Sequence, residues 1–282
     1  MTITVGADPE FWLFDGDHDY GAIVPSVGII PGTKQAPYDL GDGYFCHEDN
    51  VTIELGVPFT NEGSMLGHII KEGKNRIKTA FFKDTAKDLL LADKVEFRIE
   101  DLQSKQAKSF GCEPDFDAYT GGKMRDVPDS LIRGTTRYAG GHIHIGCTPN
   151  CPPFVVALFA DLYLSVYMNS FAPHRESPGN PRSLYYGRPG VFRPKDYGIE
   201  YRTPSNWWCG SVKNGNQIGY MATRLGVYLE ETTATTLRET IKKIDWNRVR
   251  EAVNPDAGTG NSVIREFADS LLEDVRAVGV TI

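Results

Sequence analysis

The chain has 282 residues, of which 40% are hydrophobic, and it is acidic, with 30 Lys and Arg against 37 Asp and Glu. This composition predicts a soluble globular protein with one large core. The net charge of -7 argues against binding that depends on neutralising many DNA or RNA phosphates, so we expect no direct nucleic-acid binding. Five cysteines without a CxxC pair, in a chain without a charged-then-apolar leader, predict a cytoplasmic protein.

The first part of the chain predicts strands, a helical region and long loops. β-forming residues alternate with others in 3–15 and again in 44–57, which predicts two strands. Apolar residues recur at helical spacing in 64–93, which predicts a helix or a pair of helices. The Gly- and Pro-rich stretches 16–43 and 109–128 are predicted to be loops or flaps.

The remainder of the chain predicts further strands and a helical tail. Strand character returns in three segments, 94–101, 137–147 and 198–203. The apolar run 153–172 starts with proline and is interrupted by polar residues, so we predict a buried core helix and no membrane span. These elements predict one α+β domain, 1–282, with a mixed or mainly antiparallel sheet and a helical C-terminal region from about 215 to 282.

Polar residues stand two apart in three of the predicted strands. Alternate residues of a strand point to the same face of its sheet, so each pair presents two functional groups together. The pairs are Asp8 and Glu10, His142 and His144, and Glu200 and Arg202. Groups of this kind are costly to bury unless they bind a metal, a counter-ion or a substrate, but a solvated strand face shows the same alternation.

The residue types in these segments suit hard metal cations. The carboxylates of Asp8 and Glu10 are spaced to bind two neighbouring ions, and oxygen ligands favour Mg²⁺ or Mn²⁺. Further oxygen ligands follow in the second predicted strand, at Glu48, Asp49 and Glu54. The alternative is a zinc site with an atypical ligand spacing, formed by His142, His144, Cys147 and Cys151.

A basic region interrupts the acidic chain between the histidine pair and Glu200. It contains glycines and the cations Arg175, Arg182, Arg188, Arg193 and Lys195. Planar guanidinium groups bind phosphate oxygens in a bidentate manner, although a solvated basic loop is the alternative. Metals, arginines and carboxylates on one sheet suit phosphoryl transfer, and no GxxxxGK[ST] loop or kinase signature set is present.

Four ordered motifs resemble those of the phage-encoded amidoligases, also called COOH-NH2 ligases. They are GADPEF (6–11), DNVTIEL (49–55), GGHIHIG (140–146) and YGRPGVFRPKDYGIEYRTPSNWW (186–208). This group belongs to the superfamily of glutamine synthetase and gamma-glutamylcysteine synthetase. The resemblance implies a curved, mainly antiparallel sheet that forms an active-site funnel and is flanked by helices.

The resemblance also implies a role for each matching residue. The metal ligands would be Asp8, Glu10, Glu48, Glu54, His142 and Glu200. The residues that contact the phosphates of ATP would be His144, Arg188, Arg193 and Arg202. The catalytic residues implied are Glu200, Arg193 and Arg202, and the cofactors are ATP and Mg²⁺, with Mn²⁺ as its substitute.

The activity implied by the resemblance is that of an ATP-dependent carboxylate-amine ligase. The carboxylate of a small molecule or peptide would attack the γ-phosphate to give an acyl phosphate, and an amine would then displace phosphate. A carboxylate must accept the proton of the amine, and the candidates are Asp49, Glu113 and Asp115. The alternatives are a metal-dependent hydrolase or phosphatase and a non-catalytic nucleotide-binding phage protein. If the protein is encoded by a phage, it would act in the host cytoplasm.

Overall fold

The structure is a computed structural model that describes residues 3–18, 21–108, 115–125, 134–147, 151–171, 187–255 and 259–282. Its strands are β1 (Thr4–Asp15), β2 (Ala22–Val24), β3 (Tyr38–Gly41), β4 (Tyr44–Asp49), β5 (Thr52–Gly56), β6 (Lys87–Leu90), β7 (Lys94–Glu96), β8 (Asp115–Asp117), β9 (Lys123–Arg125), β10 (Thr136–Tyr138), β11 (Gly141–Gly146), β12 (Val191–Lys195) and β13 (Gly198–Tyr201).

The helices are α1 (Leu66–Phe81), α2 (Lys105–Lys108), α3 (Pro153–Ala160), α4 (Tyr167–Phe171), α5 (Val212–Glu231), α6 (Ala234–Lys243), α7 (Trp246–Val253) and α8 (Asn261–Ala277). A π-helical segment, Asp161–Val166, joins α3 to α4 without a break. Short 3-10 helices occur at Gly63–Met65, Ile99–Leu102, Ala118–Thr120 and Asn206–Gly210.

One antiparallel sheet contains eleven of the strands in the described part of the chain. Its order is β3-β4-β5-β1-β11-β13-β12-β8-β9, and β2 and β6 also pair with β1. The long strand β1 therefore lies in the centre, between β5 and β11. The remaining two described strands, β7 and β10, pair with each other. This arrangement confirms the predicted α+β fold with a mainly antiparallel sheet.

The two faces of the sheet differ in chemistry because side chains alternate along each strand. On β1, Val5, Ala7, Phe11 and Leu13 are buried in the main hydrophobic core. Helices α1, α3 and α5 pack against the sheet and supply apolar partners to that core. The other face carries Asp8 and the remaining polar residues, and a second apolar cluster around Trp12 bounds it at one end.

The apolar run after Pro152 forms a core helix, as predicted. The stretch Pro153–Phe171 is long and apolar enough to cross a bilayer. However, 78% of its apolar 18-residue segment is buried inside the protein. Burial of this extent is typical of the central helix of a globular core. Within the described residues no second helix passes the same test.

Several of the predicted elements differ from the structure. The predicted strand 94–101 ends at Glu96, and Ile99–Leu102 forms a 3-10 helix. Helix α1 ends at Phe81, and the predicted continuation instead forms β6, which pairs with β1. Residues 44–57 form a hairpin of two strands, because Asn50 adopts a left-handed conformation with φ 55° that reverses the chain. The predicted loops contain the short strands β2, β3, β8 and β9, whose pairing with neighbours outweighs their Gly- and Pro-rich composition.

Candidate active site

The register of the sheet brings most of the predicted residues into one row. Directly opposite residues of an antiparallel pair point to the same face. The opposite pairs are Asp8 with His142, Glu10 with Glu54, His144 with Glu200, and Arg193 with Glu200. Five strands, β5, β1, β11, β13 and β12, therefore present their polar groups on the face that lacks the main helices.

A first group of potential metal ligands consists of Asp8, His144 and Glu200, whose ligand atoms lie within 4.8 Å of one another. The Nε2 atom of His144 is 3.1 Å from Oδ2 of Asp8. Burial alone would raise the pKa of Asp8, but its interactions with His144 and His142 hold it well below its usual range. The carboxylate of Asp8 is therefore ionised at neutral pH.

The two histidines of β11 have opposite pKa shifts. Burial, followed by the charge of Arg202, lowers the pKa of His142, so its ring is neutral at pH 7. Its Nδ1 atom lies 3.1 Å from Oδ1 of Asp8 and 3.2 Å from Nη1 of Arg202. The tautomer of the neutral ring decides whether Nδ1 donates a hydrogen bond to Asp8 or accepts one from the guanidinium N–H. Burial also lowers the pKa of His144, but Asp8 outweighs it and the net shift is upward.

A second group of potential metal ligands consists of Glu10, Asp49 and Glu54, again within 4.8 Å of one another. Oε2 of Glu10 also accepts a hydrogen bond of 2.8 Å from the backbone N–H of Gly140. Burial raises the pKa of Glu54 well above its usual range, and the charges of Asp8, Asp49 and Glu10 raise it further. Crowded carboxylates of this kind fit a hard divalent cation, which would relieve their repulsion.

The structure places His47 beside this second group and Glu48 away from it. His47 lies opposite Glu54, and its Nε2 atom is 3.5 Å from Oε1 of Glu54. Its side chain is 4% exposed, and neither ring nitrogen has a hydrogen-bond partner within the described residues. Glu48, one residue later, points to the other face and accepts hydrogen bonds from the amides of Ile29 and Ile30 at 2.9 and 3.2 Å.

A network of cations surrounds the buried carboxylate of Glu200, which is 2% exposed. Lys195 Nζ lies 2.7 Å away, Arg193 Nη1 lies 3.5 Å away, and Arg202 Nη1 donates a short hydrogen bond. Asp115 Oδ1 lies 3.0 Å from Nε of Arg193 and 3.1 Å from Nε of Arg202. Burial would raise the pKa of Glu200, but Arg202 and the other cations lower it to about 2.

The structure describes only some of the other residues of the predicted basic region. The backbone of Arg188 is fixed, because its carbonyl oxygen accepts a 2.8 Å hydrogen bond from Oγ1 of Thr203. Arg175, Arg182 and the base candidate Glu113 lie outside the described residues. No potential metal group in the described part of the chain contains a cysteine, so the zinc alternative gains no support.

Close backbone contacts explain why the GGHIHIG and PSNWW motifs occur together. A Cβ atom on Gly141 would lie 2.6 Å from the carbonyl oxygen of Ser205 and 2.7 Å from Nε1 of Trp208. Trp208 donates a 3.0 Å hydrogen bond from Nε1 to the carbonyl oxygen of Gly141. Asn206 donates one of 2.7 Å to the carbonyl oxygen of Glu10. The segment after β13 therefore fixes the backbone beneath both metal groups.

Comparison with protein families gives a match to the same part of the chain. The family described as phage phiEco32-like COOH.NH2 ligase, type 2, matches residues 134–219. The predicted resemblance is confirmed. The matched segment contains strands β11, β12 and β13 and thus carries both histidines, Glu200 and the arginines of the network. At the level of the family, the match supports a carboxylate-amine ligase. No curated protein matches the chain.

Proposed function

We propose that the protein is an ATP-dependent ligase that joins a carboxylate to an amine through an acyl phosphate. One observation supports this most strongly: two groups of metal-ligand residues lie on one sheet face, beside a pair of buried arginines. A hydrolase could use one such group, but the fixed arginine pair and the match to a COOH-NH2 ligase family favour transfer of a phosphoryl group.

The two groups fit two divalent cations. Asp8, His144 and Glu200 would hold one cation, and Glu10, Asp49 and Glu54 would hold the other. When bound, Mg²⁺ ions supply positive charge that neutralises phosphate oxygens of ATP. We propose the buried ring of His47 as a supporting ligand or orienting group for the second site, since it lies next to Glu54.

The arginine network supports a role in holding the transferred phosphoryl group. Asp115 forms ion pairs with both arginines, at 3.0 Å from Nε of Arg193 and 3.1 Å from Nε of Arg202, and Glu200 lies beside their Nη1 atoms. Because carboxylates flank both guanidinium groups on two sides, the positive charges are already in place when charge develops on the phosphoryl oxygens. Lys195 adds a further positive charge at the outer side of Glu200.

The proton of the attacking amine requires a carboxylate base. Asp115 is bound to two guanidinium groups, which indicates a positioning role. We therefore propose Asp49 as the base among the described candidates. It belongs to the second metal group, where one carboxylate oxygen would bind the cation and the other would accept the proton, and it has no ion pair with an arginine or lysine among the described residues.

The test is a ligation assay with ATP, Mg²⁺ and mixtures of small carboxylates and amines. We expect release of ADP that depends on both substrates, and a product whose mass equals their sum less one water. An ¹⁸O-labelled carboxylate should transfer one labelled oxygen to the released phosphate, as an acyl phosphate requires. Glu10→Gln should abolish all three signals, and Glu48→Gln, on the opposite face, is the matched control.

Two other outcomes would replace the proposal. Phosphate release from phosphate esters without any amine would identify a metal-dependent phosphatase or hydrolase. Binding of ATP without turnover over a broad panel of carboxylates and amines would identify a nucleotide-binding protein that lacks catalysis.

A further inference from the structure

Asp161 is a buried carboxylate on the face of the sheet opposite the metal groups. It lies at the start of the π-helical segment and is completely buried. Its Oδ1 atom accepts hydrogen bonds from the hydroxyl of Tyr201 at 2.5 Å and from the backbone N–H of Gly190 at 3.0 Å. Its Oδ2 atom accepts one from the hydroxyl of Tyr119 at 2.7 Å. A buried carboxylate is costly, and these three donors offset part of that cost, although burial still raises the pKa of Asp161 to about 7.

Each of the three donors belongs to a different segment of the arginine network. Tyr119 follows β8, the strand that begins with Asp115. Gly190 immediately precedes β12, which carries Arg193. Tyr201 lies in β13 between Glu200 and Arg202, so its side chain points to the helix side while theirs point to the polar face. One carboxylate is thus bonded to all three segments whose side chains form the network.

The local backbone is adapted to this arrangement. Gly190 has φ 72°, a conformation that L side chains rarely adopt, and a Cβ atom there would lie 2.8 Å from the ring of Tyr119. The same turn is tied to β13, because Arg202 N–H donates to the carbonyl oxygen of Val191 at 3.0 Å. The hydroxyl of Tyr201 also pairs with Oγ of Ser165 at 2.7 Å, one helical turn after Asp161.

We propose that Asp161 is a positioning residue that holds β8, β12 and β13 together so that Asp115, Arg193 and Arg202 converge on a transferred phosphoryl group. The hydrogen bonds of Asp161 with Tyr119, Gly190 and Tyr201 support its positioning role. The predicted effect on nucleotide binding rests on the proposed ligase function. Asp161 itself does not contact the polar face, so it acts through the backbone of the strands.

The direct test is Asp161→Asn, followed by NMR of the arginine Nε–H groups in the protein without nucleotide. Asparagine has nearly the same shape, but its NH₂ group must face one of the three donors and cannot accept from it. We expect the Nε–H signals of Arg193 and Arg202, assigned with Arg193→Lys and Arg202→Lys, to shift or broaden beyond detection. Unchanged signals in the folded variant would overturn the proposal.

A matched control separates positioning from general destabilisation. Leu164 lies in the same π-helical segment and is also completely buried, but its side chain makes no hydrogen bond. Leu164→Ala should lower the melting temperature while leaving the two arginine signals in place. If Leu164→Ala changes the signals as much as Asp161→Asn, Asp161 has only a structural role. Should Asp161→Asn fail to fold, Tyr119→Phe and Tyr201→Phe each remove one donor and give the same readout.

The functional consequence is measured by calorimetric titration with Mg²⁺ and a non-hydrolysable ATP analogue. Asp161→Asn should weaken binding by about tenfold or more, and Leu164→Ala by less than about threefold. Failure of the wild-type protein to bind the analogue would refute the proposed function, while the arginine signals would still decide the role of Asp161. Normal binding by Asp161→Asn would overturn the inference and leave the ligase proposal standing.

Discussion

Replacement of Glu200 by glutamine tests the electrostatic basis of the candidate site. The carboxylate is 2% exposed and lies among Arg202, Arg193 and Lys195. Burial would raise its pKa, but Arg202, His142 and Arg193 lower it from the ordinary 4.5 to about 2. The amide keeps the size of the side chain but removes the negative charge that these cations face. We expect Glu200→Gln to abolish turnover and to leave a folded protein of lower stability.

The size of the stability loss follows from the pKa. A carboxyl whose pKa falls from 4.5 on unfolding to about 2 in the folded state contributes about 3 kcal/mol at pH 7. For a lowered pKa, this contribution is complete above the unfolded value of 4.5 and is lost as the pH falls through the folded value of about 2. At pH 3 it should have declined to about 1.5 kcal/mol.

Urea unfolding at pH 7 and pH 3 measures this difference directly. The gap in free energy of unfolding between the wild type and Glu200→Gln should shrink by about half at the lower pH. Glu273→Gln on the exposed side of α8 removes the same charge and should change stability by less than about 0.5 kcal/mol at both pH values. A gap that does not depend on pH, or a more stable Glu200→Gln variant, would refute the assigned ion pairs.

Three further predictions concern the second metal group and the backbone beneath it. Glu10→Gln should weaken Mn²⁺ binding at least about tenfold in electron paramagnetic resonance titrations, whereas Glu48→Gln, on the other face, should change it less than about threefold. His47→Ala should weaken Mn²⁺ binding about tenfold, and unchanged affinity would remove His47 from the site. Gly141→Ala should lower the free energy of unfolding by about 1–3 kcal/mol in urea titrations, because its Cβ would lie 2.6 Å from the carbonyl oxygen of Ser205.

The alternation of residues in β1 was sufficient to predict that Asp8 and Glu10 share a face. Alternation alone does not reveal which strands are neighbours, since pairing depends on contacts between residues far apart in the chain. The pairing of Glu10 with Glu54 and of Asp8 with His142 therefore required the structure. The resemblance to the amidoligase motifs predicted that these residues lie close together, because in the related family the same motifs lie on one sheet.

The structure places Glu48, which the sequence predicts as a metal ligand together with Glu54, on the opposite face of the sheet. The alternation in residues 44–57 predicts one strand, in which Glu48 and Glu54 stand an even number of residues apart and would share a face. The turn at Asn50 breaks that relation, and the register of the hairpin places His47 opposite Glu54. Asn50 between two β-rich segments is the available signal in the sequence, because asparagine tolerates the left-handed conformation and is common in turns.

The two metal-ligand groups differ in how their charge is balanced within the described protein. Asp8 and Glu200 have lowered pKa values because histidines and arginines surround them, so they are ionised before any metal binds. Glu54 has a raised pKa because burial and other carboxylates surround it. A cation at the second group would therefore offset repulsion that the nearby cationic side chains do not remove. A metal there should favour the ionised form of Glu54 and couple its binding to proton release.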